Sequence, residues 1–446
     1  MVERAFFAVA GLSVLLTSCA QTPSLTADDD GTGVDTSDTP KRVPEVDNQI
    51  PGSGPSISSG TRRAVGGDAG TARSDAGDED EGEGEDASAA SDVQGGADAS
   101  VGRGAGGGAG GGSRVEIGVT RAAAGAGACS VPGDAQLEDT SSPTTVIGNG
   151  TPASCDGGKF VEAVRKGGVI TFNCGPDPVT IQLHQTARVD NFARNVVIDG
   201  GGKVVLSGGG ARRILYQNTC DESIGWSTAH CDNQDFPRLT VQNLTFADGD
   251  ASSNGEDGVG GGGAIFVRGG RLKIVNSHFF RNKCAGQGQD VGGGAVRALA
   301  QYNNQPVYIV NSTFGGSPER GNEGSNGGAI SAIGVNYVVI GSTLTHNRAT
   351  GNGANPKKPG TPGGGSGGAI YNDGTDFHLR VCGSDISHNR ANEHGGGIFF
   401  VSNDRTGTLR IENSTMSDNP SGAFSSHTGM YVEANGEPSI SNTRVD

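Results

Sequence analysis

Residues Arg271–Asn282, RLKIVNSHFFRN, decide the fold because the chain writes the same phrase again and again. Related stretches start at Pro306 (PVYIVNSTF), Tyr337 (YVVIGSTLTHN), His378 (HLRVCGSDISHN) and Thr408 (TLRIENSTMSDN), and a looser copy starts at Arg238 (RLTVQNLTFADG). Between copies lies a second phrase, a glycine pair before a small residue and an aliphatic: GGAI at Gly262, GGAV at Gly293, GGAI at Gly327 and Gly367, and GGGI at Gly395. One such unit cannot bury its own apolar side, so the physical reading of the period is stacking.

Alignment of the copies gives four apolar columns. Leu239, Leu272, Val307, Tyr337, Leu379 and Leu409 form the first, and Val241, Ile274, Ile309, Val339, Val381 and Ile411 the second. Phe246, Phe279, Phe314, Leu344, Ile386 and Met416 form the third, and Ile265, Val296, Ile330, Ile370 and Ile398 the fourth. The first two columns are two residues apart and therefore share one face of a strand. Successive first-column residues lie 33, 35, 30, 42 and 30 residues apart, with the variation in glycine-rich inserts. A constant coil with several short strands per turn and variable loops is a parallel β-helix. At its corners stand Asn243, Asn276, Asn311 and Asn413, replaced by Gly341 and Gly383 in two copies. Asn and Gly tolerate the positive φ that a corner requires. Asn243, Asn311 and Asn413 also open glycosylation sequons, but their place in a repeated corner favours the structural role.

Paired GGA[IV] and FxxN motifs resemble the repeat of bacterial polymorphic outer-membrane proteins, within the pectin-lyase-like right-handed β-helices. Phe279–Asn282 matches in full, whereas Leu344, Ile386 and Met416 replace the Phe before Asn347, Asn389 and Asn419. Phe246-Ala-Asp-Gly249 and Phe314-Gly-Gly-Ser317 lack the Asn, and Gly395-Gly-Gly-Ile398 lacks the Ala. The resemblance spans about 180 residues and implies an all-β, right-handed parallel β-helix solenoid. It says little about activity, because that fold hosts lyases, hydrolases, adhesins and passive surface proteins.

The front of the chain is different. Residues 1–128 carry 9 Lys/Arg and 20 Asp/Glu, and residues 129–446 carry 24 and 29. Most of the net charge of −16 thus sits before the repeats, and no basic domain suggests nucleic acid. Ala5–Leu16 is an apolar run too short to span a bilayer. Leu16-Thr-Ser-Cys19 after it resembles a bacterial lipobox, which implies residues 1–18 as a signal peptide and lipid attachment at Cys19. Ala20 implies sorting to the outer membrane, facing the cell surface or the periplasm. Residues 19–128 are an acidic Gly/Ser/Asp-rich stretch with too few apolar groups to offset ordering entropy, so they are expected to be a disordered linker. As a flexible coil it would reach on the order of 55 Å.

The folded domain is expected at residues 129–446, opening with a short capping helix in KFVEAVRKGG, where Phe160, Val161 and Val164 have helical spacing. Strands are expected at Val169–Asn173, Val179–Leu183, Asn195–Gly202, Lys203–Gly208 and Arg213–Tyr216. Seven cysteines follow Cys19, so in an oxidising compartment an odd thiol remains. Cys220 and Cys231 bracket a polar insert and Cys155 and Cys174 flank the helix, which makes these the expected pairs; Cys129, Cys284 and Cys382 are left unassigned. Cys284 and Cys382, three coils apart at about 4.8 Å per coil, are beyond disulfide reach. No CxxC or His/Cys cluster points to a metal centre.

Chemistry is sparse. No Asp-Asp pair or Gly-His-Gly marks a galacturonan hydrolase. Asp248, Asp250, Glu256 and Asp257 form a weak calcium signal in a glycine-rich loop, against a plain solvated loop. His346 and Arg348, with His388 and Arg390 in the next coil and Arg281 and Lys283 two coils earlier, form a basic strip to which Lys357, Lys358 and His394 add. Such a strip would bind the carboxylates or sulfates of an acidic polysaccharide, against charges that merely keep a repeat corner wet. A lone tryptophan, Trp226, argues against an aromatic sugar platform. Three readings follow: a lipid-anchored, non-catalytic adhesin or coat protein, a polysaccharide lyase with a base in the strip, or a glycan-binding module, with the membrane and another cell surface or acidic polysaccharide as partners.

Overall fold

The computed structural model describes residues 129–253 and 260–446. Cys19, the expected linker, Glu256 and Asp257 lie outside them. The described chain is a parallel β-helix with in-register strands in three sheets, all three of them supplied by the middle turns. The longest sheet carries the repeat phrase, split at its corner into two segments, such as Arg271–Val275 and His278–Phe280. A second sheet of five short strands follows, from Asp250–Ala251 to Arg390–Ala391. The third runs from Ala187–Arg188 to Met430–Glu433.

All four apolar columns point inward and stack in the expected register. Ile274 pairs with Val241 and Ile309, and Val339 with Ile309 and Val381. Phe246, Phe279 and Phe314 are fully buried, with ring centroids 4.8 and 4.5 Å apart and planes 4° from parallel. The corner asparagines do adopt positive φ, 50° at Asn243, 48° at Asn276, 47° at Asn311 and 50° at Asn413. In the Gly-Gly-Ala phrase the two glycines have different duties. Gly327 takes φ +58°, while a Cβ at Gly328 would run into the Arg348 amide and the Gly368 carbonyl of neighbouring strands.

The asparagine of FxxN is the polar spine of the core. Asn282, Asn322, Asn347 and Asn389 have no exposure, and each side-chain amide donates to the carbonyl oxygen of the next, at 3.0, 2.9, 3.0 and 3.0 Å, ending on Asn419. The same amides also donate to main-chain carbonyls of the preceding coil, Phe246, Phe279, Phe314 and Leu344. Each buried amide is thereby satisfied without water. The Phe314 copy has therefore not lost its Asn: Asn322 fills the place, displaced in sequence by Ser317–Gly321. Serines build a parallel ladder at the other corner, where the amide of Ser312 donates to Ser342 Oγ and that of Ser342 to Ser384 Oγ, both at 3.1 Å.

The cap helix spans Gly157–Lys166, with Asp156 accepting from the Lys159 amide at its start and Gly167 at φ +73° after its end. Phe160, Ala163 and Val164 are its buried residues and join the main core; Val161 is half-buried. The two strands expected at 195–208 are one, Asn195–Ser207, whose pairing slips between Asp199 and Val204.

Cys155–Cys174 and Cys220–Cys231 are bonded, as expected. The third bond is new: Cys129 joins Cys382, 253 residues away. It fixes the start of an arm, residues 129–140, laid across the outside of the long sheet against the order of the coils. Beneath it runs one in-register column, Asp199, Gln242, Val275, Val310, Ile340 and Cys382. Val131 packs beside Ile340 and Val310, and Ala135, fully buried, beside Val275 and Val310. The Glu138 amide donates to Gln242 Oε1 at 2.8 Å, and Thr140 Oγ1 donates to Asp199 Oδ2 at 3.0 Å. The arm thus clips six consecutive coils. Cys284 is free and buried, and burial pushes its thiol up to about 11, which makes it a core residue rather than a reactive one.

Candidate ligand-binding surface

The corner after the third apolar column sets one side chain from each of five coils at the surface, exposed at Arg281, His388 and Asp418 and half-buried at Asp248 and His346. Asp248, Arg281, His346, His388 and Asp418 occupy it, all at positive φ between 52° and 62°. The His346 and His388 rings stack at 5.1 Å, as the shared column requires. Two residues further on, Asp250, Lys283, Glu323, Arg348 and Arg390 align strand to strand.

Both columns carry acids as well as cations, at the two ends of the first and at Asp250 and Glu323 in the second, which changes the reading of a basic strip. Arg281 holds Asp248 through two bonds at 2.7 and 2.8 Å. Lys283 lies 3.1 Å from Asp250, Arg348 3.1 Å from Glu323, and His388 3.6 Å from Asp418. The surface is a charge ladder in which coils bind their neighbours; among the described residues of the two columns, Arg390 and His346 have no ion pair. Asp248 and Asp250 are likewise engaged, so a calcium ion held by them would have to displace two ion pairs. Cys220, Cys231 and Asp232 converge, but the sulfurs are bonded to each other and Asp232 holds Arg268, so they form no metal centre.

Lys358 is structural. Its Nζ reaches Glu393 at 2.7 Å, and Glu393 also accepts from the Gly353 amide at 2.8 Å, which pins the 350–365 insert to the stack. Burial works to raise the Glu393 carboxyl, but the Lys358 and Gly353 hydrogen bonds outweigh it and hold it below the usual range. Lys357 is exposed and its amide donates to Gln289 Oε1. His394 is not part of the strip, since its Nδ1 faces the Phe424 carbonyl at 2.8 Å and its ring lies 4.8 Å from Tyr431. Burial, aided by the neighbouring His388, moves His346 below the ordinary imidazole range, so His346 charges at lower pH than a free imidazole does.

Two results are expected here. Arg348→Ser with Arg390→Ser should move stability by no more than about 0.5 kcal/mol, because an exposed pair contributes little. The sign should be a slight loss, since the Glu323 partner is stranded; a large fall in melting temperature would give the strip a structural role. The second concerns His278, on the long sheet, which burial and nearby Arg320 push down to about 4. It is neutral in the fold and titrates near 6.5 when unfolded. Its contribution is present above pH 6.5 and is lost as pH falls toward 4, by up to about 3 kcal/mol. Denaturant midpoints between pH 7 and 4 should fall less steeply for His278→Gln, and an identical slope would refute the assignment.

Reading the sequence missed a second surface. Trp226, dismissed as a lone aromatic, stands 6.2 Å from Phe192 and 6.2 Å from Phe236, and the Arg194 guanidinium lies 4.8 Å above the Phe236 ring. The available signal was an aromatic in an otherwise polar, cysteine-bracketed insert. Comparisons with protein-family profiles, with curated proteins and with solved structures gave no match to this chain.

Proposed function

We propose that this chain is an exported, lipid-anchored β-helix of the outer membrane, of the polymorphic-repeat type, that acts as a non-catalytic surface protein or adhesin. The observation that carries the reading is the Cys129–Cys382 bond. The stretch that reads as a tether meets the domain at residue 129, and that residue is covalently joined to a late coil. A pull along the tether would then enter the stack through a covalent bond. It would not peel the arm and cap helix from the first coils. Such an attachment suits a protein held at one end and loaded at the other, and three disulfides suit an oxidising compartment. A lyase would need a cation free to act as base; Lys283, Arg348 and Lys358 are each held by a carboxylate, which leaves Arg390 as the one uncommitted arginine of the two columns among the described residues and weighs toward binding or display.

The test is fractionation of Cys19→Ala. The variant should leave the membrane fraction for the soluble one, because acyl chains supply the anchoring in this reading. An unchanged membrane fraction would reject lipid anchoring.

A further inference from the structure

The aromatic surface is built. The insert 219–237 leaves the stack between strands Leu215–Asn218 and Arg238–Ala247, and Cys220–Cys231 closes its root. Asn191, fully buried, ties it to the turn that carries Phe192: its side chain donates to the carbonyls of Asp221 at 3.2 Å and Trp226 at 3.1 Å, and its amide to Ile224 at 2.8 Å. This framework holds Phe192 at 66% exposure, whereas Phe246, Phe279 and Phe314 are wholly buried. The rings meet at 56° and 64°, so no ring covers a neighbour's whole face.

Arg194 differs from the arginines around it. Arg188 is paired with Asp221, Arg268 with Asp232, and both Arg238 and Arg271 with Asp235. Arg194 is exposed and has no carboxylate partner among the described residues; its guanidinium rests on Phe236. Apolar ring faces beside an uncommitted, planar cation match a sugar ring that carries a carboxylate. The C–H face of a pyranose lies on the aromatic rings, and the guanidinium takes the carboxylate with two parallel bonds. A protein partner fits less well. Three rings that partly cover one another offer a few hundred Å² at most, against roughly 800 Å² per side for a stable protein interface.

We infer that Phe192, Trp226, Phe236 and Arg194 form a binding site for a hexuronate unit of an acidic glycan. The site names the ligand class of the displayed surface and rests on that reading only for its setting. Binding is measured on the purified full chain, whether or not it is lipidated, so a failed anchoring test leaves this result standing.

Trp226 is the sole tryptophan, so its emission reports the site directly. The chain is titrated with an oligogalacturonate and, separately, with a neutral cello-oligosaccharide of equal length. The expected result is a saturable change in emission with the uronate, weakened at least tenfold by Arg194→Ala and by Phe192→Ala, with melting temperatures unmoved because both side chains are exposed. Silence toward both oligomers overturns the proposal. An equal response to the neutral oligomer, insensitive to Arg194→Ala, overturns the uronate assignment. Dissociation of an oligomer by Phe192→Ala, seen in sedimentation with both glycans silent, would give the patch to a second copy of the chain and likewise overturn it.

Discussion

Val339→Asp should unfold the middle of the stack. Val339 has no exposure and sits in the inward column between Ile309 and Val381 of the flanking coils. A carboxylate there meets only aliphatic neighbours on the coils before and after it. An uncompensated buried charge costs far more than a lost methyl, so the group would be protonated or the coil would open, and the loss should be on the order of 4 kcal/mol or more. The damage should spread, because each coil is stabilised through its two neighbours. Val339→Ala is the companion: it removes volume without charge and should cost about 2 kcal/mol. Urea unfolding of both variants measures the order. Equal and small effects would mean that residue 339 does not face the core.

How much of this was legible follows from what each feature writes into sequence. The inward columns were readable because alternation and period together determine which side chains share a face, and the Ile274–Ile309 and Val339–Val381 registers came out as aligned. The corners were readable for a similar reason, since few residue types accept positive φ. Asn322 was missed because the Ser317–Gly321 insertion moves it five residues away from its motif, yet the spine needs an amide in every coil and the chain supplies it. The acids of the charge ladder were not set against its cations: Asp248 and Asp250 read as a weak calcium signal, and Glu323 was missed for a related reason. Glu323 lies beyond that same insertion, so only the cations of its column were aligned, and Arg348 looked uncompensated until its partner was placed.

The arm left a fainter trace. Twelve residues without periodicity say nothing of where they lie. The partner column did speak: Val275, Val310 and Ile340 are apolar at a position whose alternation points to solvent, and Cys382 continues them. An apolar row on an outer face asks for a cover, and a cysteine at its end marks where the cover is fastened. The aromatic surface was misjudged by counting. One tryptophan in the chain is weak evidence against a platform when two phenylalanines, one in the same insert and one 34 residues earlier, complete it.

Opening the Cys129–Cys382 bond should have the other large effect. The bond closes a loop of 253 residues, nearly the whole stack, and chain-entropy arguments give a loop of that length about 5 kcal/mol of stabilisation through the unfolded state. Cys129→Ser with Cys382→Ser should therefore lower the urea midpoint sharply, while Cys220→Ser with Cys231→Ser, which opens a loop of 11 residues, should lower it less. The double variant also tests the clip itself. Val131 and Ala135 remain as apolar contacts and Glu138 keeps its bonds to Gln242, but the arm's outer end is no longer fastened. Protease cleavage should appear between residues 130 and 136 under native conditions, before the coils open, because the part of the arm nearest the lost bond frays first. Under tension applied at residue 129, the variant should peel from the arm into the cap helix at low force, whereas the bonded protein should resist until its late coils give way. A midpoint equal to that of the unaltered chain, with the arm still protected from protease, would show that packing alone holds the arm and that the bond carries no load.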